Sequence, residues 1–153
     1  MADTLTLAAV ADTEKREFLA MAEAYFRELN PDFVPSDDWR EMYFARLQHS
    51  PDLYLRWICG GAQRMGFVIY GIERHRFLPR TTGCVYEMYI LPQFRGSGVG
   101  KRAGGEVICI LRRFGPSKIQ LEIACGNASA TLFWQTLGFR KVSERYVLDE
   151  VQK

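Results

Sequence analysis

Gln93-Phe94-Arg95-Gly96-Ser97-Gly98-Val99-Gly100-Lys101-Arg102 puts three glycines in five residues between a strand-like run, Cys84 to Leu91, and a helix-like run, Val99 to Phe114. Glycines at such a junction admit positive φ and let the backbone approach a ligand. Successive N–H groups and the positive end of the helix dipole, about +0.5 charge, then face an anion. Arg95, Lys101 and Arg102 add cations, and no acidic residue lies between Glu87 and Glu106, so an unopposed cationic patch is expected. The plainer alternative is a flexible turn with solvated charges. A Walker A loop fails twice, because Arg95 stands where its first glycine belongs and Arg102 where it needs Ser or Thr. Gly98 to Ala103 does fit the dinucleotide pattern GxGxxA, with Glu122 at a suitable distance for a ribose, although Pro92 to Arg95 separate the strand from the first glycine.

Upstream, Thr4 to Val10 alternates as a strand. Asp12 or Thr13 is placed to cap a helix whose stripe is Phe18, Met21, Ala22, Tyr25, Phe26 and Leu29, stopped by Pro31. Ser36, with Asp37 and Asp38 following, starts a second helix that carries Trp39, Met42, Tyr43 and Leu47 on one face. Leu53 to Cys59 and Met65 to Glu73 read as strands of a hairpin around Gly60-Gly61. Downstream, Ile119, Leu121 and Ile123 alternate with polar residues. Asn127 or Ser129 caps a short helix ending at Gly138, and Phe139 to Val142 and Arg145 to Val151 read as closing strands. The order βααβββαβαββ, without repeat or linker, predicts an α+β chain of one domain, 1-153, with a mixed, mostly antiparallel sheet.

Composition fits that reading. The chain has 153 residues, 48% hydrophobic and 25% charged, with 20 basic and 18 acidic side chains and a net charge of +2. A chain of this size buries roughly 70% of its unfolded surface without a metal or disulfide scaffold. Near-neutrality argues against a nucleic-acid partner, which demands a basic stripe. No apolar run approaches the ~20 residues of a membrane span. The first basic residue is Lys15, so no secretory leader is expected. Cys59, Cys84, Cys109 and Cys125 show no ligand spacing and lie in apolar segments, which predicts reduced core thiols, a cytoplasmic location and no metal.

Arg95-Gly96-Ser97-Gly98-Val99-Gly100 resembles motif A, [Q/R]xxGx[G/A], of the GNAT superfamily of N-acetyltransferases, and Tyr89 to Phe94 resembles the strand that leads into it. Asn127, Ala130, Phe133, Trp134, Leu137, Gly138 and Phe139 resemble its motif B. The resemblance implies a GNAT fold, splayed between strands four and five, that binds acetyl-CoA as co-substrate. Arg95, Gly96, Ser97, Gly98, Val99, Gly100 and Lys101 would hold the pyrophosphate. Met88, Tyr89 and Ile90 would lie along the thioester and supply an oxyanion donor. Asn127, and Trp134 on the same helix, would complete the cofactor site, though Asn127 reads equally as a helix cap.

The implied chemistry is attack of an amine on a thioester. A lysine-type amine is neutral in about one molecule in 2500 at pH 7, so a base is useful. Glu87 and Tyr89 are the catalytic candidates, Glu87 as the base; Glu87 reads equally as a surface glutamate, since simple alternation puts it and Tyr86 on opposite faces. Trp134 stands where many members carry the tyrosine that protonates the leaving thiolate, and an indole N–H cannot do this. Tyr86, Tyr89 and Tyr146 are the candidate replacements, or the site uses no acid. The acceptor site would draw on the acidic and aromatic set Asp32, Phe33, Asp37, Asp38, Trp39 and Glu41, or on Arg74, His75, Arg76 and Arg80; ordinary solvated surface is the alternative for both. The expected partner is a small-molecule or peptide amine, with a homodimer allowed for. A non-catalytic acyl-CoA sensing domain and a dinucleotide oxidoreductase are the rival functions.

Overall fold

The computed structural model describes residues 4–150. The chain divides into two compact units, Met1–Glu122 and Ile123–Lys153. The first contains β1 (Leu5–Ala9), α1 (Lys15–Leu29), α2 (Asp37–His49), β2 (Leu53–Gly60), β3 (Gln63–Arg74), β4 (Thr81–Ile90), α3 (Val99–Arg112) and β5 (Lys118–Leu121). The strands form one sheet in the order β1-β2-β3-β4-β5. Every pairing is antiparallel except β4 with β5, which the α3 crossover makes parallel.

The helices form where caps and apolar spacing coincide. Ser36 Oγ accepts from the Trp39 N–H at 3.0 Å, and Asp37 and Asp38 occupy the dipole-favoured first turn of α2. The first helix departs from expectation: neither Asp12 nor Thr13 caps α1. A 3-10 turn, Asp12–Glu14, precedes it, and the Glu14 carboxylate accepts from the Ala11 N–H at 2.8 Å instead. In α3 the buried residues Val99, Ala103, Val107 and Leu111 recur every four positions, the stripe of a helix lying on a sheet.

One face of the sheet packs against α1 and α2. Phe18 is fully buried, its ring 6.2 Å from Trp57, 5.2 Å from Phe67 and 5.9 Å from Phe44. Of the α2 stripe, Leu47 is buried while Met42 is exposed, and Phe44, which the stripe left out, is buried in its place. The other face carries α3, whose Leu111 lies where a Cβ on Gly83 would meet it. Gly66 has no room for a side chain, since a Cβ there would stand 1.9 Å from the Tyr89 carbonyl oxygen.

In the second unit Asn127 caps α4 (Ala128–Thr136) through its side-chain oxygen, 3.1 Å from the Ala130 N–H, and Gly138 follows at φ 98°. The two closing strands are a correction: among the described residues 139–150 no strand forms. Alternation at Phe139 to Val142 and beyond Arg145 met the pattern, but a strand also needs a ladder partner, and Val142, Tyr146, Val147 and Leu148 are exposed. Val151 lies outside the described residues. The cysteine expectation is half corrected: all four thiols are free and Cys59 and Cys84 are buried, but Cys109 and Cys125 are exposed. Cys109 falls off the α3 stripe, and Cys125 lies in the loop before α4.

Candidate active site

The site is built around the second half of β4. Pairing with β5 ends at Val85 with Leu121, whereas pairing with β3 continues to Ile90 with Gly66. This is the splay expected between strands four and five. The Leu91 N–H donates to the Met65 carbonyl at 2.8 Å. Strand alternation therefore aims the Tyr89 amide at β3 as well, and the Met88 and Ile90 amides at the open edge. The Ile90 carbonyl is already taken by the Arg95 Nε–H at 2.8 Å.

The strand then enters a helical turn, Pro92–Phe94, and the glycine loop. Gly96 at φ 80° and Gly98 at φ 82° adopt the left-handed conformation that side chains disfavour, with space around both, so the demand for glycine is conformational. Gly98 is the N-cap of α3, leaving the Val99, Gly100 and Lys101 N–H groups without intrahelical partners. Ser97 Oγ donates to the Phe94 carbonyl at 2.8 Å and stiffens the turn.

Arg95 is placed differently from the rest of the loop. Its amide donates to the Pro92 carbonyl, and its guanidinium grips the Glu28 carboxylate with two bonds of 2.9 and 2.8 Å. It lies 5.4 Å from the Tyr89 ring centre. The pair holds the Glu28 carboxyl below its ordinary range, chiefly through the Arg95 hydrogen bonds. The unopposed patch read from local sequence is thus opposed by a helix 67 residues away.

Glu87 faces α1. Its Oε2 accepts from the Tyr25 hydroxyl, and the buried Tyr43 hydroxyl, close enough for the Glu87 charge to act on it, has no hydrogen-bond partner. Burial raises the Glu87 carboxyl above the ordinary carboxylate range, partly opposed by the Tyr25 bond. Simple alternation fails next to it. Ile69 pairs with Glu87 but Tyr70 with Val85, so Tyr86 is an extra residue in a β-bulge. Tyr86 Oη donates to Glu73 Oε1 at 2.9 Å, and Glu73 shares strand parity with Phe67 and Ile69 of the α1 and α2 core. Tyr86 and Glu87 therefore lie on the same face.

Tyr89 is buried in that core, its ring 5.4 Å from Tyr25, with burial and Glu28 pushing its phenol up to about 12. Burial and carboxylate neighbours likewise raise Tyr25 and Tyr86. In the second unit Tyr146 is exposed and donates to Glu144 Oε2 at 2.7 Å, while Trp134 is buried between the Phe133 and Phe139 rings, 4.9 and 5.4 Å away. Among the described residues no His, Cys, Asp and Glu group could hold a metal, and no helix is long and apolar enough to cross a membrane.

Tyr25, Tyr43, Glu28 and Glu73 neighbour the candidate residues Glu87, Arg95 and Tyr86, and sequence reasoning did not place them there. The available signal was a tyrosine within each apolar helical stripe, since a phenol packed on a core still needs a partner for its hydroxyl. Of the acceptor candidates, Phe33 and Trp39 pack with each other and with Phe26 at ring distances of 5.3 to 5.8 Å. Asp37 pairs with Arg40.

The fold is similar to that of a probable acetyltransferase (TM-score 0.76, 14% identity, covering 98% of this chain and 99% of the other). It is also similar to a putative acetyltransferase from Agrobacterium tumefaciens (0.77, 16%, 95% and 99%). A third likeness is to an aminoglycoside N-acetyltransferase in complex with CoA (0.74, 16%, 99% and 97%). At such identities the likeness is one of fold, and no curated protein matches the chain. The acetyltransferase (GNAT) family model matches residues 17–139, which take in the splayed strand, the glycine loop and the α4 segment. The helical turn between β4 and the first glycine also removes the direct strand-to-glycine junction of a dinucleotide site. The sheet, the splay, the loop and the family match agree: the chain belongs to the GNAT family of acetyltransferases.

Proposed function

We propose that this chain is an acetyl-CoA-dependent N-acetyltransferase that acetylates a primary amine of a small molecule or peptide by direct attack on the thioester. The observation that carries the reading is Glu87, a half-buried carboxylate with a raised pKa, one residue from the first open-edge amide. Acetyl-CoA supplies the activated acetyl group. The amides of Gly96 to Lys101 fit its pyrophosphate, since two left-handed glycines and a helix N-terminus present donors that nothing in the helix uses. Arg95 braces the loop rather than meeting the phosphate. The Met88 N–H, at the open edge, is the donor suited to the developing oxyanion, a role the Tyr89 amide does not fill because it faces β3.

Glu87 takes the proton of the incoming ammonium, directly or through water. The amine nitrogen bonds the carbonyl carbon, the C–S bond breaks with its electron pair leaving on sulfur, and the proton the nitrogen sheds in becoming an amide passes through water to the departing thiolate. A thiol of pKa about 8.5 leaves far more readily than an amine, so Trp134 at the usual acid position is tolerated. Tyr25 orients the carboxylate. In the second unit Asn127 uses its oxygen as a cap and keeps its NH₂ for pantetheine, and Trp134 is assigned beside it on the family resemblance. We propose one functional domain over 1-153, supported by a family match that spans both compact units. The four free thiols support a reducing, cytoplasmic setting.

The test is thiol release from acetyl-CoA over a panel of amines. Release with at least one amine, reduced in Glu87→Gln, is expected. Binding of acetyl-CoA without release for any amine would establish the sensing role instead.

A further inference from the structure

A groove at the opposite end of β4 from the glycine loop gathers four cations. Arg74, Arg76, Arg80 and Lys118 line it together with His75 and Glu73. Elsewhere in this unit Arg40, Arg64 and Arg95 bind carboxylates, but among the described residues none of these four is ion-paired. Among the described residues Glu73 is the one carboxylate lining the groove, and it is engaged by Tyr86.

The groove is built rather than left as a loose turn. His75 Nδ1 accepts from the Phe77 and Leu78 amides at 3.1 and 3.0 Å, which leaves Nε2 as the donor of the ring. The His75 N–H bonds the Arg80 carbonyl at 2.9 Å, closing the hairpin. The Ser117 amide and hydroxyl both donate to the Thr81 carbonyl, at 2.9 and 3.1 Å, fixing β5 to the start of β4.

Its orientation connects it to the active site. Gly83 and Ile119 face α3. Alternation therefore puts Thr82, Cys84, Lys118 and Gln120 on the opposite face, the one occupied by α1 and α2. The bulge returns Tyr86 and Glu87 to that same face, so one face of the sheet runs from Thr82, Lys118 and Gln120, which line the groove, to the carboxylate. Thr82 and Glu87 lie five positions apart along the strand, about 15 Å.

We infer that this groove binds an anionic group, phosphate or carboxylate, of the acceptor, about 15 Å from the amine that Glu87 deprotonates. Guanidinium forks match both anions through paired N–H donors. The inference rests on the acetyltransferase reading. It selects among amines: an acceptor with a distal acid is held at both ends, a simple amine at one.

Two measurements test it. In the first, the protein is titrated with inorganic phosphate and, separately, with acetate, while the arginine Nε–H signals are followed by NMR. Saturable shifts at Arg74, Arg76 and Arg80, weakened at least tenfold in R76Q/R80Q, are expected, and the stronger ligand identifies the preferred anion. Shifts there no larger than at Arg112 and Arg113 would overturn the site. In the second, five-residue peptides with a free N-terminal amine and a terminal phosphoserine, glutamate or glutamine are compared as acceptors. At least a tenfold kcat/KM advantage for an acidic peptide, erased in R76Q/R80Q with the acetyl-CoA KM unchanged, is expected; equal rates would overturn the acceptor role. Thiol release with no amine would overturn the enzymatic reading and that role together, while the phosphate titration still decides whether the groove holds an anion.

Discussion

The two ends of β4 concentrate positive potential by different means. At the C-terminal end the donors are backbone amides, displayed because Gly96 and Gly98 hold φ of 80° and 82°. At the N-terminal end they are long side chains, Arg74, Arg76, Arg80 and Lys118, gathered by a hairpin. Cationic residues near an anion site are not themselves the site: Arg95, inside the glycine loop, is committed to Glu28. A backbone site depends on conformation and fails when φ is forbidden. A side-chain site depends on proximity and fails only by degrees.

Substitutions should respect that contrast, and the carboxylate between the two ends gives the largest effect. Glu87→Gln should lower kcat/KM about 10²- to 10⁴-fold at pH 7, the range for loss of a positioned base, and remove the acid limb of the pH profile. In the native enzyme that limb should lie above the ordinary carboxylate range, as burial dictates. An unchanged profile in the variant, from steady-state rates between pH 5 and 9, would remove Glu87 from its role.

Next in size, Gly98→Val forces a β-branched residue to φ 82°. The strain, about 1–2 kcal/mol, should weaken CoA binding about five- to thirtyfold by calorimetry. If R76Q/R80Q weakened CoA as much, the two ends would not be separate sites.

A smaller effect distinguishes the two carboxylates by sign. Glu87 has a raised folded pKa, so the folded state holds its proton longer than the unfolded chain, whose value is about 4.3. Its stabilising contribution is full below that value and lost as pH rises through the folded pKa. Glu87→Gln should therefore melt at or above the native temperature at pH 7, with the difference vanishing in acid. Glu28, with a lowered pKa, behaves oppositely: its contribution is present above the unfolded pKa and lost as pH falls through the folded one. Glu28→Gln should cost under about 1 kcal/mol at pH 7, since the pair is half exposed, and nothing in strong acid. Melting curves at pH 3 and pH 7 check both signs.

Much of this was readable locally. The Ser36 cap, the helix after the glycine loop, the Asn127 cap and the α1 stripe as far as Phe26 are short-range patterns, and each appears at its residue, while Leu29 at the end of α1 is exposed. Local patterns also misled where pairing decides. The closing strands alternate correctly but form no strand in the described residues, and the α1 stripe gave no sign that the Tyr25 hydroxyl donates to a carboxylate on β4. The β-bulge at Tyr86 leaves no mark in the sequence, because Tyr86 and Glu87 look like ordinary alternation until β3 is laid beside them.

By itself the sequence determined the order of elements through α4, the glycine loop and the family, because periodicity, capping and the torsional freedom of glycine act over a few residues. Tertiary structure alone decided which face Glu87 takes, that Glu28 neutralises Arg95, and that Lys118 and Thr82 of the cationic groove share a face with the carboxylate. Those depend on register, on one extra residue in a ladder and on contacts between residues up to 67 positions apart.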